Sequence, residues 1–298
     1  MTTFQRADHT FDYPRYLQAL KPVSARAQHP TLKARFLDAL EKRATSIKRP
    51  LQVLEIGAGR GDQMEWVLDA AHERGISVRY DALEPDASNR TVVQSKVTQH
   101  PQYEGSVSVH GTTLFDFAGQ SSTGTYDVVM ARSVLDLMDL DQALSTIDTL
   151  TSPSLVLYAP LTFALVTRFA PAVKRDLLQT ERQIIKNYHR STRRKTNIEK
   201  DSYPPHKILE WALQNDMYGT MKASDWVLIP ERKQYTKDKQ YIIESILAFM
   251  YDEASEAGCV AQSQLDAWWD ARYQMLREGR LIYTANQFDV LVGEQPAA

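Results

Sequence analysis

Residues 54–63, with the sequence LEIGAGRGDQ, place Gly57, Gly59 and Gly61 directly after an apolar run and before a helix-like segment. Glycine permits a positive φ and lets another molecule approach the backbone closely. The free N–H groups at the start of the following helix face the same space. The pattern predicts a turn that holds a ligand over the end of a strand. An ordinary turn between a strand and a helix is the alternative.

Two carboxylates flank these glycines, Glu55 before them and Asp62 after them. The dinucleotide fingerprint G-x-G-x-x-G calls for glycine or alanine where this chain has Asp62. A negative charge beside the loop also repels a pyrophosphate, whereas it attracts an ammonium group. S-adenosylmethionine carries an ammonium and a sulfonium and has no phosphate. The loop therefore favours this cofactor over NAD.

Short apolar strands and helices alternate on both sides of the loop. The predicted strands are LQVLEIG, VRYDALEPD, SVSVHGTT, TYDVVMARS, SLVLYAP, DWVLIP and RLIYTANQFDVLVG. Buried parallel strands joined by helices are typical of doubly wound sheets. We therefore predict an α/β fold with a doubly wound, mostly parallel seven-stranded sheet, an antiparallel last strand and a helical cap insertion.

The same pattern predicts four regions along the chain. Residues 1–48 hold two amphipathic helices, separated near Pro22 and Pro30, that cover the cofactor site. Residues 49–160 form the Rossmann-like core that binds the cofactor. Residues 161–205 are a mostly helical, basic cap insertion beside the carboxyl ends of the strands. Residues 206–298 complete the sheet and its flanking helices.

Glu84 ends the second predicted strand, in YDALEPD. In a doubly wound fold, an acidic residue at this point accepts hydrogen bonds from ribose hydroxyls. Charge-assisted bonds of this kind contribute about 1.5–3 kcal/mol each. Glu84 is therefore the predicted ribose ligand.

Three segments resemble the first, second and fourth motifs of class I S-adenosylmethionine-dependent methyltransferases. They are VLEIGAGRG, YDALEPD and YDVVMARSVLDLMD, within about residues 50–160, and the helical block that follows matches no subfamily. The resemblance implies a cofactor whose methionine part lies at Glu55 and the glycines, with residues 131–133 beneath the sulfonium. The predicted cofactor-binding residues are Glu55, Gly57, Ala58, Gly59, Gly61, Glu84, Pro85, Thr112, Thr113, Ala131, Arg132 and Ser133.

One position departs from the family pattern. The family often has an aspartate near the end of the third strand that accepts from the adenine amino group, but this chain has Thr112 and Thr113, with Asp116 later. A threonine hydroxyl, backbone groups, or Asp116 reaching back are three alternatives that the sequence leaves open.

Methyl transfer is an in-line displacement, so the protein mainly aligns the acceptor and excludes water. Tyr158, together with Thr162 and Phe163, leaves the sheet at the sulfonium end and is a candidate catalytic residue. His189 is the second, because an imidazole titrates near neutrality. The rivals as general base are Tyr188, Asp176 and Asp225. The chain lacks a D/N-P-P-Y motif and an Asp-Asn metal pair, so base amino methylation and a metal site are not expected.

The overall charge bears on the acceptor and the partners. The chain has 35 basic and 37 acidic residues and a single cysteine, Cys259, which favours a reducing, cytoplasmic setting. A net charge of −2 disfavours nucleic acid, and no segment has the composition of a membrane span or signal peptide. We expect a methyltransferase for a small-molecule acceptor. A non-catalytic cofactor-binding protein is one alternative, and an RNA methyltransferase that uses Arg190, Arg193, Arg194 and Lys195 is the other.

Overall fold

The computed structural model describes residues 11–103, 105–162, 166–195 and 203–293. The helices in these residues are α1 (Tyr13–Ala27), α2 (Pro30–Ser46), α3 (Asp62–Glu73), α4 (Ala87–Gln99), α5 (Leu114–Ala118), α6 (Leu140–Leu150), α7 (Leu178–Lys195), α8 (Pro204–Gln214), α9 (Lys237–Ala257) and α10 (Gln262–Arg277). The strands are β1 (Leu51–Ile56), β2 (Val78–Leu83), β3 (Val107–His110), β4 (Tyr126–Met130), β5 (Thr151–Leu161), β6 (Thr167–Ala170), β7 (Gly219–Leu228) and β8 (Ile282–Val292).

The chain divides into two compact units. Within the described residues, unit 1 comprises 11–27, 166–195 and 225–286. Unit 2 comprises 28–162, 203–224 and 287–293. Each unit is therefore assembled from three separate stretches of the sequence.

Unit 2 contains a parallel sheet whose strands lie in the order β3-β2-β1-β4-β5. The last residues of β8 extend it, since Phe288 to Val292 pair antiparallel with β5. The order along the sheet reverses between β1 and β4. In open α/β sheets, ligands bind in the crevice outside the carboxyl ends of the strands at such a reversal.

Local sequence explains why these elements form. β1 is almost wholly buried, as expected for a parallel strand covered on both faces. Gly61 precedes α3 with a left-handed backbone (φ 77°), which allows a sharp turn from strand to helix. Asp86 caps α4 by accepting a hydrogen bond from the Asn89 N–H at 2.9 Å.

Unit 1 is mainly helical. Its core consists of apolar side chains from α1, α7, α9 and α10. In the same unit, β6 pairs antiparallel with residues 282–285 of β8. The buried Arg272 guanidinium donates to both carboxylate oxygens of Glu181 at 2.7 Å, and the Trp268 indole N–H donates to the same carboxylate at 2.9 Å.

The predicted fold class is confirmed, with eight strands in place of seven. The additional strand, β6, falls inside the block predicted to be helical, and its four residues are too few to give a periodic pattern. β7 begins at Gly219, earlier than predicted, and the short α5 between β3 and β4 was not predicted. Pro22 does not interrupt α1, because buried Ala19, Val23 and Ala27 hold both halves of the helix against the core of unit 1.

The predicted four regions are contiguous, whereas both compact units are discontinuous. The two N-terminal helices belong to different units, α1 to unit 1 and α2 to unit 2. The cofactor-covering role of residues 1–48 and the cap role of residues 161–205 stay predictions. Across the parts of the chain that the structure describes, no helix combines the length and apolar character needed to cross a bilayer.

Candidate functional site

The glycine loop follows β1 in unit 2, at the reversal of the sheet. Gly57, Gly59 and Gly61 have φ angles of 67°, 55° and 77°, which favour glycine. A Cβ at Gly57 would lie 3.0 Å from Val134 Cγ2, so the loop packs closely against the segment after β4. A Cβ at Gly59 would meet no atom within 4 Å, so this glycine borders open space. The loop is shaped to leave room beside Gly59.

Glu84 lies at the end of β2 and is joined directly to the loop. One of its carboxylate oxygens accepts from the Gly59 N–H at 2.7 Å, and the other accepts from the Asp86 N–H at 2.9 Å. The Arg90 guanidinium donates to the carbonyl of Pro85 at 2.6 Å and fixes the adjacent backbone. Each carboxylate oxygen retains capacity for a further hydrogen bond. The structure therefore brings Glu84, Pro85 and the loop together, as the spacing in the sequence suggested.

Glu55 occupies a different environment from the one inferred from the sequence. Its side chain is buried, and the Tyr80 hydroxyl donates to it at 3.0 Å. Burial raises the pKa of Glu55 to about 8, against the opposing effects of the Tyr80 hydrogen bond and the Arg132 charge. Glu55 is therefore mostly protonated near pH 7 and becomes a charged partner only when a cation lowers its pKa. The expectation of a fixed negative charge at the mouth of the loop needs this correction.

The segment Ala131, Arg132, Ser133 follows β4 and adjoins the loop. The Ser133 N–H donates to the Pro160 carbonyl at 2.8 Å, and the Ser133 hydroxyl is hydrogen-bonded to that of Thr162. Ser133 has a φ of 54°, an uncommon conformation for a residue with a side chain. Strain of this kind costs about 1–3 kcal/mol and clusters at ligand sites. The packing of Val134 on Gly57 places this segment at the crevice, and the φ of Ser133 is consistent with a ligand site there.

Thr112 and Thr113 follow β3, and the structure resolves what Asp116 does. Thr113 caps α5: its hydroxyl accepts from the Asp116 N–H at 3.3 Å and donates to the Asp116 carboxylate at 2.8 Å. Asp116 thus reaches back to Thr113, and both side chains take part in the cap. Contact of Thr112 or Thr113 with an adenine stays a prediction.

Tyr158 lies in β5, with its hydroxyl fully buried. The hydroxyl donates to the Asp289 carboxylate at 2.8 Å, and the ring stacks on Phe36 with centroids 4.9 Å apart. Burial, followed by the charge of Asp289, raises the pKa of Tyr158 well above its ordinary value. The hydroxyl therefore stays protonated and serves as a donor to Asp289. Nothing near Tyr158 in the sequence pointed to Asp289, which comes from β8.

His189 lies on α7 in unit 1. Its Nε2 is 3.2 Å from the Thr167 hydroxyl, and burial, followed by the Arg193 charge, lowers its pKa to about 4. The imidazole is therefore neutral at pH 7. On the same helix, Arg190 and Arg194 are exposed and Arg193 is half-buried. Phe163 and the Lys195 side chain lie outside the described residues.

Buried polar groups without a protein partner accompany the loop. The Gln63 amide nitrogen, two residues after Gly61, has no hydrogen bond, and both polar side-chain atoms of Asn89 have none. Asn89 lies one helical turn before Val93, whose side chain is 3.4 Å from the Cβ position at Gly61. Buried polar groups are normally paired, so these groups fit a site that takes a polar ligand. Within residues 11–293 as described, no cluster of His, Cys, Asp and Glu could hold a metal ion.

The strand order, the glycine loop and Glu84 together define a doubly wound α/β sheet with a candidate ligand crevice at its reversal. No family model and no curated protein sequence matches the chain. Among solved structures, it is similar to an S-adenosylmethionine-dependent methyltransferase from Thiobacillus denitrificans bound to S-adenosyl-L-homocysteine, with 12% identity and a TM-score of 0.44 over 91% of this chain and 97% of that one.

Two further structures show the range of the similarity. The apo-form of mycolic acid cyclopropane synthase CmaA1 is 13% identical, with a TM-score of 0.44 over 94% of this chain and all of that one. DszA carbon methyltransferase is 20% identical, with a TM-score of 0.37 over 42% of this chain, and the match spans about a third (32%) of its own length. At this level of similarity, function has to be argued from the side chains of the site.

Proposed function

We propose that this protein binds S-adenosylmethionine and transfers its methyl group to a small-molecule acceptor. The observation that carries the proposal is the hydrogen bond from the Gly59 N–H to Glu84. It joins the acidic end of β2 to the glycine loop after β1, at the reversal of the strand order. A ribose at this point would find a fixed carboxylate, and the open space beside Gly59 would admit the rest of a nucleoside.

The residues of the site suit the chemical groups of this cofactor. The free acceptor capacity of Glu84 suits ribose hydroxyls. Glu55 suits a cationic group, because a nearby positive charge favours its ionised form. When bound, the cofactor supplies an electrophilic methyl group. The protein would hold it with the loop and with residues 131–133.

The acceptor is proposed to be a small molecule because the net charge of −2 does not attract polyanions. A general base is required only when the attacking atom carries a proton. His189 is the proposed base, since its imidazole is neutral at pH 7, although its low pKa makes it a weak one. Tyr158 is proposed to position Asp289 rather than to transfer a proton.

Calorimetric titration with S-adenosyl-L-homocysteine tests the proposal. We expect wild-type protein to bind it and Glu84→Ala to bind about tenfold or more weakly, from the loss of one or two charge-assisted bonds. Asp139→Ala is the control, because the Asp139 carboxylate, like that of Glu84, accepts a hydrogen bond from a backbone N–H, here at the start of α6. Methyl transfer from labelled S-adenosylmethionine to a pooled metabolite library then tests catalysis.

Two results would contradict the proposal in different ways. If wild-type protein binds NAD but binds neither S-adenosylmethionine nor S-adenosyl-L-homocysteine, the cofactor assignment is wrong. Tight cofactor binding, with transfer to RNA and none to the metabolite pool, would reject the small-molecule acceptor. A steep fall of RNA binding with salt would accompany the second result.

A further inference from the structure

Two cationic side chains of unit 2 lie near one another beside the crevice. The Lys33 ammonium, on α2, is 4.3 Å from the centre of the Trp66 ring. Arg132 directly follows Ala131, whose N–H donates to the Tyr158 carbonyl at 3.1 Å. Lys33 and Arg132 repel each other, and both interact with the charge of Asp289. They therefore share one electrostatic environment at the carboxyl ends of β4 and β5.

Arg132 makes no hydrogen bond or ion pair with any residue that the structure describes, although its side chain is half-buried. Two nearby acids are engaged elsewhere. Asp62 is paired with the Lys96 ammonium at 2.9 Å, and Glu55 is mostly protonated near pH 7. A half-buried guanidinium without a direct partner is costly, because its desolvation is not offset by a hydrogen bond.

Asp289 does not complete the pairing either. Its two oxygens accept from the Tyr158 hydroxyl at 2.8 Å, the His29 N–H at 2.8 Å and the Gln287 amide at 3.0 Å. These three donors hold the buried carboxylate in place. Asp289 therefore acts on Lys33 and Arg132 through its charge, and among the described residues it makes no hydrogen bond to either of them.

Unpartnered polar atoms lie at the same end of α2. The Gln28 amide nitrogen, on a residue that is 4% exposed, has no hydrogen bond, and neither does the buried His29 Nδ1. His29 is the N-cap residue of the 17-residue α2, whose N-terminus carries a partial positive charge. A polar ligand at this end of α2 would offer these atoms the partner that they lack.

We propose that Lys33 and Arg132 form a binding site for one carboxylate group at the carboxyl ends of β4 and β5. The Arg132 guanidinium, which has no direct partner among the described residues, can donate to a carboxylate in a bidentate geometry. Lys33 lies over the ring of Trp66, which packs against the fully buried rings of Phe36 and Tyr158. The proposal rests on the proposed function, and the carboxylate belongs either to the amino-acid part of the cofactor or to the methyl acceptor.

Three probes distinguish these sources: S-adenosyl-L-homocysteine, 5′-methylthioadenosine, which lacks the amino-acid part, and benzoate added to protein saturated with 5′-methylthioadenosine. The variants are Lys33→Gln and Arg132→Gln. Lys42→Gln is the control, since Lys42 is an exposed cation on the same helix. Circular dichroism and the melting temperature show that each variant is folded.

If the carboxylate is that of the cofactor, both variants bind S-adenosyl-L-homocysteine about tenfold more weakly and bind 5′-methylthioadenosine as wild type does. If it is that of the acceptor, both nucleosides bind normally and benzoate binding falls about tenfold. The control variant matches wild type with every probe.

The proposal is overturned if both variants bind all three probes like wild type. It is also overturned if both variants bind the two nucleosides more weakly by the same factor, because that result indicates general damage to the crevice. Failure of the proposed function looks different: wild-type protein would bind neither nucleoside. In that case the carboxylate site would still be supported if wild-type protein binds benzoate without a nucleoside and Arg132→Gln does not.

Discussion

Gly57 and Gly59 show how two residues with the same backbone conformation have different tasks. Both have a positive φ, but a side chain at Gly57 would press on Val134, whereas one at Gly59 would enter open space. Gly57 is thus required for packing between the loop and the segment after β4. Gly59 is required for the space that a ligand would fill.

Gly59→Ala is therefore expected to weaken binding of S-adenosyl-L-homocysteine about tenfold or more while lowering the free energy of unfolding by only about 1 kcal/mol. Gly124→Ala is the matched control, because Gly124 also has a positive φ (66°) with no atom within 4 Å of its Cβ position, and it precedes β4. Calorimetry and urea unfolding measure the two effects. Equal loss of affinity in both variants would show that Gly59 does not border the ligand.

Glu55 makes stability depend on pH. The folded state keeps a proton on Glu55 up to about pH 8, whereas the unfolded chain releases it near the ordinary glutamate pKa of 4.5. The contribution of Glu55 to stability is therefore most favourable below the unfolded pKa and declines as the pH rises through this window. Above it, the buried charge costs on the order of a few kcal/mol.

Because glutamine cannot ionise, Glu55→Gln should raise the free energy of unfolding relative to wild type at about pH 9 and change it little at about pH 4.5. Urea unfolding at both pH values measures the difference. Glu73→Gln, at an exposed site on α3, is the control and should give the same difference at both. A Glu55→Gln effect that is independent of pH would contradict a raised pKa.

The sequence was sufficient to predict that Glu84 lies beside the glycine loop, because their spacing follows from the local geometry of β1 and β2. It could not reveal that Glu55 is protonated, since that depends on burial by neighbouring elements. Nor could it pair Tyr158 with Asp289, which are 131 positions apart. Whether the predicted ligand contacts are made stays a prediction.

At the level of elements, Asp127 on β4 links the start of β1 to the end of α2. Its fully buried carboxylate accepts from Arg43 at 2.7 Å, from Arg49 at 2.6 Å and from the Gln52 N–H at 3.0 Å. Burial acts to raise the pKa of Asp127, but hydrogen bonds from Arg49, Gln52 and Arg43 outweigh it and lower the pKa. The ionised carboxylate thus stabilises the junction of three elements.

Asp127→Asn should lower the free energy of unfolding by about 3 kcal/mol near pH 7, because it leaves buried donors without a charged partner. The stabilisation is present above the unfolded pKa of about 3.8 and is lost as the pH falls through the lower folded value, so the gap between variant and wild type narrows in acid. Urea unfolding at a series of pH values measures this. Asp148→Asn, at an exposed position on α6, is the control, and a gap of constant size would contradict the assignment.

Helices and strands were predictable where the pattern of apolar residues extends over many positions. Buried runs such as LQVLEI and the periodic segments of α8, α9 and α10 indicate their structure locally. β6 has only four residues, and its pairing with β8 joins positions more than a hundred residues apart, so no local signal marks it. β7 also pairs with β8, which lies further along the chain, so the local sequence does not show where β7 begins.

At the scale of the whole molecule, the chain divides into two units, and each unit combines stretches that are far apart in the sequence. Unit 1 has its own buried centre, in which Glu181, Trp268 and Arg272 are hydrogen-bonded together. Unit 2 has the parallel sheet and every residue of the proposed carboxylate site. Composition alone could not assign residues 11–27 and 225–286 to one unit, because packing between distant helices decides it.

This interleaving has a consequence for synthesis on the ribosome. The nascent chain exposes β1 to β5 early, and these strands can begin to pair with one another while translation continues. Unit 1 forms later, because its last stretch ends only at residue 286. Helices α1 and α7 therefore emerge well before their partners α9 and α10, and their apolar faces are available to chaperones until those two helices have been synthesised.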